Sequence, residues 1–364
     1  MFCLTDNVTF GGIKAPVMSP SELFRAQEKG KTCISIIIPF QDKVSVKIQV
    51  NKTIEKVECL LQGIYSEDEI RKFLVALHKL QYPMYQQGIG IYITEGFVKL
   101  AVFPFMVKEK IHIGESFWVK ELICLDYYKV EYYVLQVSEN LINLYKGKLN
   151  KLEKVEDKRF PYSLEQYTPA YAGSIQIKDT VALNKNKVKN FLLAADNKLS
   201  HYLGEKLLVL SGPEKHLMQF HEITNHWTHI VGNITGNYID EPLSVLEENA
   251  WPLMRDWLDN HKEVLAGEWL AKRALNKISD IREVWRAAVA GKGIILLVEK
   301  DYALPAYQES SDGGIHIKPP HTTYRIISDV VNELMRIVLE ENGEVIILKN
   351  GSLDKYHRMV LLTE

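Results

Sequence analysis

Residues 132–211 constrain the fold of this chain more than any other stretch. Two short apolar runs, 132–138 and 141–145, are separated only by Glu139 and Asn140, a spacing typical of a β-hairpin. Farther on, six apolar residues recur at helical intervals and predict an amphipathic helix that buries one face: Val188, Phe191, Leu192, Ala195, Leu199 and Tyr202.

The predicted hairpin and helix are joined by an unusually long connection. Gly204 is placed to end the helix, and residues 207–210 form a short apolar run typical of a buried strand. Residues 146–184 show no clear periodicity. A connection longer than about 12–15 residues without secondary structure is usually functional or disordered. The functional interpretation therefore centres on this predicted loop.

The predicted loop concentrates positive charge. The whole chain has a net charge of −2, so it is not a polycation of the kind that binds nucleic acid through bulk charge. Residues 146–189 nevertheless hold ten Lys or Arg against five Asp or Glu, a balance of +5, and the rest of the chain carries −7. Lys and Arg neutralise phosphates, and Tyr and Phe can stack on unpaired bases. A solvated loop whose aromatic residues pack on their own domain is an equally good interpretation.

Composition and cysteine usage predict a cytoplasmic protein. Hydrophobic residues make up 46 % of the chain and charged residues 25 %, which is ordinary for a soluble protein with a large core. No apolar run approaches the roughly 18 residues needed to cross a membrane, and no secretory signal is visible at the start. The four cysteines include no Cys-x-x-Cys pair, which favours reduced thiols: Cys3, Cys33, Cys59 and Cys124.

Alternating helical and strand patterns predict three consecutive α/β domains. The first, 1–127, contains a strand, two helices and a β-hairpin. The second, 128–264, contains the opening stretch with a long basic loop at 146–186, and the third, 265–364, is a small α/β sandwich.

Patterns for catalysis or metal binding are weak. Five candidate ligands crowd one segment, but they do not form His-Glu-x-x-His, and intervals of five residues fit one helical face poorly: His216, His221, Glu222, His226 and His229. Surface histidines that cluster by chance are the better interpretation. Neither a phosphate-binding glycine pattern nor a Gly-x-Ser-x-Gly nucleophile motif occurs. No catalytic residue, metal or cofactor is therefore assigned.

Five segments, in this order, resemble the bacterial relatives of the archaeo-eukaryotic peptide release factors and of the ribosome-rescue factor Pelota: 34–39, 132–145, 208–213, 236–251 and 280–293. The resemblance implies an N-terminal domain and a middle domain with a ribonuclease-H-like sheet. It also implies a C-terminal α/β domain similar to certain RNA-binding ribosomal proteins.

The chain departs from true release factors in the middle-domain loop. In those factors this loop carries Gly-Gly-Gln, which enters the peptidyl-transferase centre and promotes ester hydrolysis. No Gly-Gly-Gln occurs in the 364 residues, and the loop offers only Ala-Gly-Ser-Ile-Gln at 172–176. The resemblance therefore implies ribosome binding without peptidyl-tRNA hydrolysis, as in Pelota-like members.

The leading hypothesis is a non-enzymatic, ribosome-associated factor of rescue or dormancy type. Its expected partners are the ribosome, ribosomal RNA and, by resemblance, a translational GTPase that docks on the C-terminal domain; no membrane partner is expected. The cations expected to contact phosphates are Lys158, Arg159, Lys185, Lys187 and Lys189. The aromatic residues expected to stack on bases are Tyr162, Tyr167 and Tyr171. Two alternatives remain: a metal-dependent hydrolase acting on RNA or an ester through the middle domain, and a protein–protein adaptor.

Overall fold

The computed structural model describes residues 7–10, 13–16, 19–27, 30–40, 46–63, 65–78, 87–167 and 180–364. The chain forms two compact units: 1–127 together with 262–364, and 128–261. Helices and strands are mixed throughout, so the predicted α/β class is confirmed. The division into three separate domains stays a prediction.

The N-terminal segment of the first unit has a four-stranded antiparallel sheet. Its isoleucine-rich central strand, predicted from residues 33–40, packs one face against two amphipathic helices. The sheet order is β5-β4-β3-β6. The elements are β1 (Asn7–Phe10), β2 (Ile13–Pro16), α1 (Pro20–Ala26), β3 (Cys33–Pro39), α2 (Val46–Leu61), α3 (Glu67–His78), β4 (Gly88–Thr94), β5 (Phe97–Phe103), β6 (Lys110–Gly114) and α4 (Lys120–Tyr127).

The second unit is built on a six-stranded mixed sheet of order β10-β8-β7-β11-β12, in which β9 also pairs with β8. Strands β7, β11 and β12 are parallel, and β8 is antiparallel to β7. The elements are β7 (Glu131–Val137), β8 (Leu141–Lys148), β9 (Lys151–Lys154), β10 (Tyr162–Ser163), α5 (Thr180–Leu203), β11 (Leu207–Gly212), α6 (Glu214–His221), β12 (Ile230–Thr235) and α7 (Leu243–Ala271), whose last turns belong to the first unit. The ribonuclease-H-like assignment of this unit stays a prediction.

The prediction of one long loop at 146–186 is wrong, because this stretch contains strands and the start of a helix. Strand β8 continues to Lys148, β9 folds back on it, β10 pairs with its start, and α5 already begins at Thr180. Charged residues dominate β9, and only Leu152 is buried there, so the strand has no apolar pattern. Residues 168–179, which include most of the predicted loop's second half, lie outside the described residues.

The sheet of the second unit separates two faces. On one, here called the α5 face, Tyr133, Leu135 and Leu144 pack in a core with α5 and α6. On the other, the α7 face, Gln136 and Tyr145 lie beside Leu246 of α7. Alternation along each strand therefore sends neighbouring residues to different helices.

The C-terminal segment adds two more sheets to the first unit. One has order β13-β19-β14-β18, with only β14 and β18 parallel, and the other has order β16-β15-β17. The elements are β13 (Asn276–Ile278), α8 (Ile281–Val289), β14 (Ile295–Glu299), β15 (Ala306–Glu309), β16 (Ile315–His316), β17 (Tyr324–Ile327), α9 (Val330–Glu340), β18 (Glu344–Leu348) and β19 (Met359–Thr363).

A buried asparagine explains why the two ends of the chain form one unit. Asn332 of α9 accepts a hydrogen bond from the N–H of Val119 and donates one to the carbonyl of Phe117, both at 3.0 Å. Nearby, the ammonium of Lys120 donates to the carbonyl of Tyr302 at 2.8 Å. These contacts satisfy buried polar groups across 182 or more positions of sequence, a connection that local sequence patterns do not show.

Candidate nucleic-acid interface

A belt of aromatic side chains lies on the α5 face of the second unit. The rings of Tyr162 and Phe191 stack with centroids 5.1 Å apart, and those of Phe160 and Tyr202 meet edge-on at 5.6 Å. The aromatic belt comprises Tyr133, Phe160, Tyr162, Tyr167, Phe191 and Tyr202. It forms because α5 contributes Phe191 and Tyr202, which lie three helical turns apart on one side. The aromatic residues of the segment before α5 pack against these two rings.

Three cations lie over the rings of the aromatic belt. The ammonium of Lys198 is 4.5 Å from the ring centroid of Tyr162, and that of Lys206 is 5.7 Å from the centroid of Tyr133. The guanidinium of Arg159 lies 6.0 Å from the ring centroid of Tyr202. Cation–π attraction of this kind fixes the long side chains while leaving their charged ends partly in solvent.

The tight turn at 157–160 positions one of these cations. The Oδ1 atom of Asp157 accepts hydrogen bonds from the N–H groups of Arg159 at 2.7 Å and Phe160 at 3.2 Å. The hydroxyl of Tyr202 donates to Oδ2 at 2.5 Å, and chiefly this bond holds the pKa of the Asp157 carboxyl below its ordinary value. Asp157 thereby links the turn that carries Arg159 to the last turn of α5.

Two of the three aromatic residues predicted to stack on RNA, Tyr162 and Tyr167, pack within the second unit. Tyr162 is 6 % exposed and lies between Phe191 and the ammonium of Lys198, so its ring is part of the core. Burial raises the pKa of its hydroxyl. Tyr167 packs its ring against Phe191 at 6.4 Å, and Tyr171 lies outside the described residues.

The predicted basic residues fall on different sides of the unit. Lys158, Lys187 and Lys189 are exposed, and Arg159 is half-buried. At about 100° per residue, Lys187 and Lys189 point about 200° apart around α5 and cannot follow one row of phosphates. Lys185 lies in α5, but its side chain is outside the described residues.

Sequence reasoning missed Lys198 and Lys206. Lys198 follows Lys187 by eleven positions and lies within about 20° of it on the helix, so the two share a side of α5. The sequence signal for Lys198 was its position between Phe191 and Tyr202 on the predicted helix, beyond the end of the predicted loop. Arg159, Lys187, Lys198 and Lys206, together with exposed Lys158, are here called the basic face.

Other lysines of the predicted loop are engaged in ion pairs. The ammonium of Lys146 lies 2.6 Å from a carboxylate oxygen of Glu131, and this hydrogen bond raises the pKa of Lys146. Lys151 pairs with Glu247 at 2.9 Å. The count of +5 therefore overstates the charge that the segment can offer to a partner.

The second unit is electrically polarised. Helix α5 contains four Lys and one Asp, and that Asp is buried. On the other side of the sheet, residues 240–259 contain six Asp or Glu and a single Arg. A polyanion would therefore approach the α5 face and be repelled from the α7 face.

The histidines of the second unit do not converge. His221 bonds to Asn233 at 3.1 Å, His226 to Ser200 at 3.0 Å, and His229 to the carbonyl of Lys206 at 3.0 Å. His216 is buried, which lowers its pKa, and this corrects its interpretation as a surface residue. Across the described part of the chain, no three His, Cys, Asp or Glu side chains are grouped as metal ligands. No helix among those residues has the length and apolar character of a membrane span.

The comparisons with known proteins agree with the resemblance found in the sequence. The model of bacterial archaeo-eukaryotic release factor family 3 matches residues 131–292, so the chain is similar to that family over this stretch, as the resemblance predicted. The matched residues include the entire basic face. No curated protein matches the chain.

Solved structures of release-factor relatives align with the chain at low identity. Pelota from Archaeoglobus fulgidus is 13 % identical, with 76 % of this chain and 78 % of that chain covered and a TM-score of 0.40. Dom34 from S. cerevisiae, a translation termination-like factor interacting with Hbs1, is 12 % identical, with coverage of 95 % and 93 % and a TM-score of 0.36. Archaeal Pelota in a ribosome-bound model with ABCE1 is 10 % identical, with coverage of 97 % and 95 % and a TM-score of 0.37.

Proposed function

We propose that this protein is a cytoplasmic, ribosome-associated translation factor of rescue or dormancy type that binds ribosomal RNA through the basic face. The observation that carries the proposal is the arrangement of Arg159, Lys198 and Lys206 over the aromatic belt. Cations that are already ordered lose less side-chain freedom when they bind a phosphate, so a preformed row is better suited to a polyanion than a mobile one.

The opposite charges of the two faces support an orientation on RNA. The α5 face would lie against the phosphate backbone, and the acidic α7 side would point away from it. The contacts proposed here are made to phosphates and carry no base sequence, which suits a factor that recognises a ribosomal surface by shape.

We infer that the protein does not hydrolyse peptidyl-tRNA. The Gly-Gly-Gln tripeptide of true release factors is absent from the sequence. The expected result is no release of labelled peptide from stalled ribosome complexes at protein concentrations that saturate binding. Release above the rate without protein would contradict this part of the proposal.

A salt titration tests RNA binding. Removing three phosphate contacts with Lys158→Gln, Lys187→Gln and Lys198→Gln should make the slope of log K against log salt shallower by about 2, at about 0.7 per contact with unpaired RNA strands. A ribosomal RNA fragment is the ligand. The matched control removes three exposed lysines of the first unit, Lys47, Lys52 and Lys72, and should leave the slope unchanged. Equal slopes for all three proteins would contradict the proposal.

We also propose that residues 265–364 dock a protein partner, by resemblance a translational GTPase. Strand β17 presents Ile326, which is 69 % exposed, and Ile317 nearby in the chain is exposed as well. Tyr324, two positions before Ile326 on the same face of β17, is 40 % exposed, and contiguous exposed apolar patches are typical of protein-binding surfaces. Ile326→Glu should abolish GTPase binding in a pull-down with the purified candidate while leaving RNA binding intact. Unchanged capture would remove this strand from the interface.

A further inference from the structure

A small cavity lies on the α7 face of the second unit, at the end of the sheet where β7 and β11 finish. Its volume is about 160 Å³, and its lining includes Gln136, Tyr145, Lys154, Tyr238, Glu241 and Leu246. Pockets for drug-sized ligands measure about 300–1,000 Å³. This cavity therefore has room for one planar ring system, with any attached groups outside.

The floor of the cavity has an unused hydrogen-bond donor. Gln136 is 2 % exposed, and its Oε1 atom accepts bonds from Asn143 Nδ2 at 2.9 Å and from the hydroxyl of Tyr145 at 3.2 Å. Both acceptor sites of the amide oxygen are thereby used, which fixes the orientation of the side chain. Its Nε2 group donates to no acceptor in the portion of the chain that the structure describes.

Two more buried polar atoms flank this amide. Strand register places Asn143 and Ser211 directly beside Gln136 on the same face. The Oδ1 atom of Asn143 and the Oγ atom of Ser211 are both buried, and neither has a hydrogen-bond partner among the described residues. Neither Asn143 nor Ser211 lines the cavity, so the polar group that an occupant can reach from the floor is the amide of Gln136.

The walls and the mouth add aromatic surface and two opposite charges. Tyr145 and Tyr238 contribute rings, and the register of β8 and β9 places Lys154 on the same face as Tyr145. Lys154 and Glu241 are exposed, and within the described ranges neither takes part in an ion pair. One fixed N–H donor, one carboxylate and one ammonium therefore line a cavity with aromatic and apolar walls.

We propose that this cavity binds the base of a guanine nucleotide. Guanine has one carbonyl acceptor beside two N–H donors on its Watson–Crick edge, and this is the complement of one amide N–H and one carboxylate. Gln136 donates to the carbonyl O6, Glu241 accepts from N1–H and N2–H, and Lys154 pairs with the phosphate. Adenine has no carbonyl, cytosine has no ring N–H at this edge, and uracil offers only one N–H.

The site is separate from the basic face because the two lie on opposite faces of the same sheet. Binding of a free nucleotide does not require a ribosome, and loss of Lys187 or Lys198 should leave it unchanged. A failure of the guanine site and a failure of ribosome binding can therefore be told apart.

Isothermal titration of the full-length protein with GMP, AMP, CMP and UMP tests the proposal. GMP should bind most tightly, and Glu241→Gln should weaken GMP at least about tenfold because a bond to a charged acceptor is lost. Lys154→Gln should weaken GMP but not guanosine, which has no phosphate. Glu248→Gln, an exposed carboxylate of α7 outside the cavity lining, is the matched control and should bind like the wild type.

Three results would overturn the guanine assignment: no heat with GMP at millimolar concentration, equal affinity for all four nucleotides, or unchanged GMP affinity in Glu241→Gln. The source of the guanine is read from a competition experiment. Displacement of GMP by a single-stranded RNA with one guanosine, but not by the same RNA with adenosine, would identify a guanosine in RNA as the ligand. Displacement by neither would identify the free nucleotide.

Discussion

Replacing Asp196 by alanine is expected to lower the free energy of unfolding by about 3 kcal/mol. The carboxylate is 1 % exposed on α5, where it accepts hydrogen bonds from the hydroxyl of Thr224 at 2.6 Å and from the N–H of Asn225 at 3.1 Å. Hydrogen bonds to a charged group are worth about 1.5–3 kcal/mol each, so the gross loss is about 3–6 kcal/mol. Removing a buried carboxylate also removes its desolvation cost, which places the net near the lower end.

Urea unfolding of the full-length protein, followed by tryptophan fluorescence, measures this change. Asp256→Ala is the matched control, because Asp256 is 69 % exposed and its pair with Arg255 at 3.4 Å should contribute less than about 1 kcal/mol. A double-mutant cycle with Thr224→Val should give a coupling of about 1–3 kcal/mol. A loss below about 1 kcal/mol for Asp196→Ala would refute the view that this carboxylate fixes α5, and with it the basic face, to the rest of the unit.

Three further outcomes follow from individual contacts. Burial raises the pKa of the Cys33 thiol to about 11, so a maleimide at neutral pH should label exposed Cys59 and leave Cys33 unlabelled until urea unfolds the chain; rapid labelling of the peptide that contains Cys33, located by mass spectrometry, would contradict this. Gly147→Ala should lower the free energy of unfolding in urea by about 1–3 kcal/mol, because the new Cβ would lie 2.4 Å from the ring of buried Tyr132. Wild-type stability would show that the ring can move. Tyr202→Phe should raise the pKa of Asp157 in an NMR titration. Because the native pKa is depressed, the stability that the bond adds should be present at neutral pH and vanish as pH falls below about 4; a pH-independent difference from wild type would contradict this.

Much of the second unit was predictable because its core elements have strong periodic patterns. The hairpin at β7 and β8, the apolar stripe of α5 and the buried strand β11 all appear in the structure. Strand β9 was missed because an edge strand with a single buried leucine has no apolar alternation to detect. Joining of the two chain ends by Asn332 was likewise out of reach, because one polar residue forms bonds with Phe117 and Val119, which are far away in sequence.

The candidate interface was predictable in charge but not in arrangement. Counting Lys and Arg found the basic segment, yet residue types could not show that Lys146 pairs with Glu131 or that Tyr162 belongs to the core. Helical geometry was the unused information, since it separates Lys187 from Lys189 and joins Lys187 to Lys198. The cavity at Gln136 gave no sequence signal, because its polar residues come from separate strands and meet only through register.

Co-sedimentation with ribosomes at low and raised salt tests the central proposal most directly. The full-length protein should pellet with ribosomes at low salt and be released as salt rises, because the proposed contacts are with phosphates. The variant lacking Lys158, Lys187 and Lys198 should stay in the supernatant, whereas the control lacking Lys47, Lys52 and Lys72 should pellet like the wild type. Absence of the wild-type protein from pellets of both vacant and translating ribosomes, or equal binding by all three proteins, would contradict ribosome binding through the basic face.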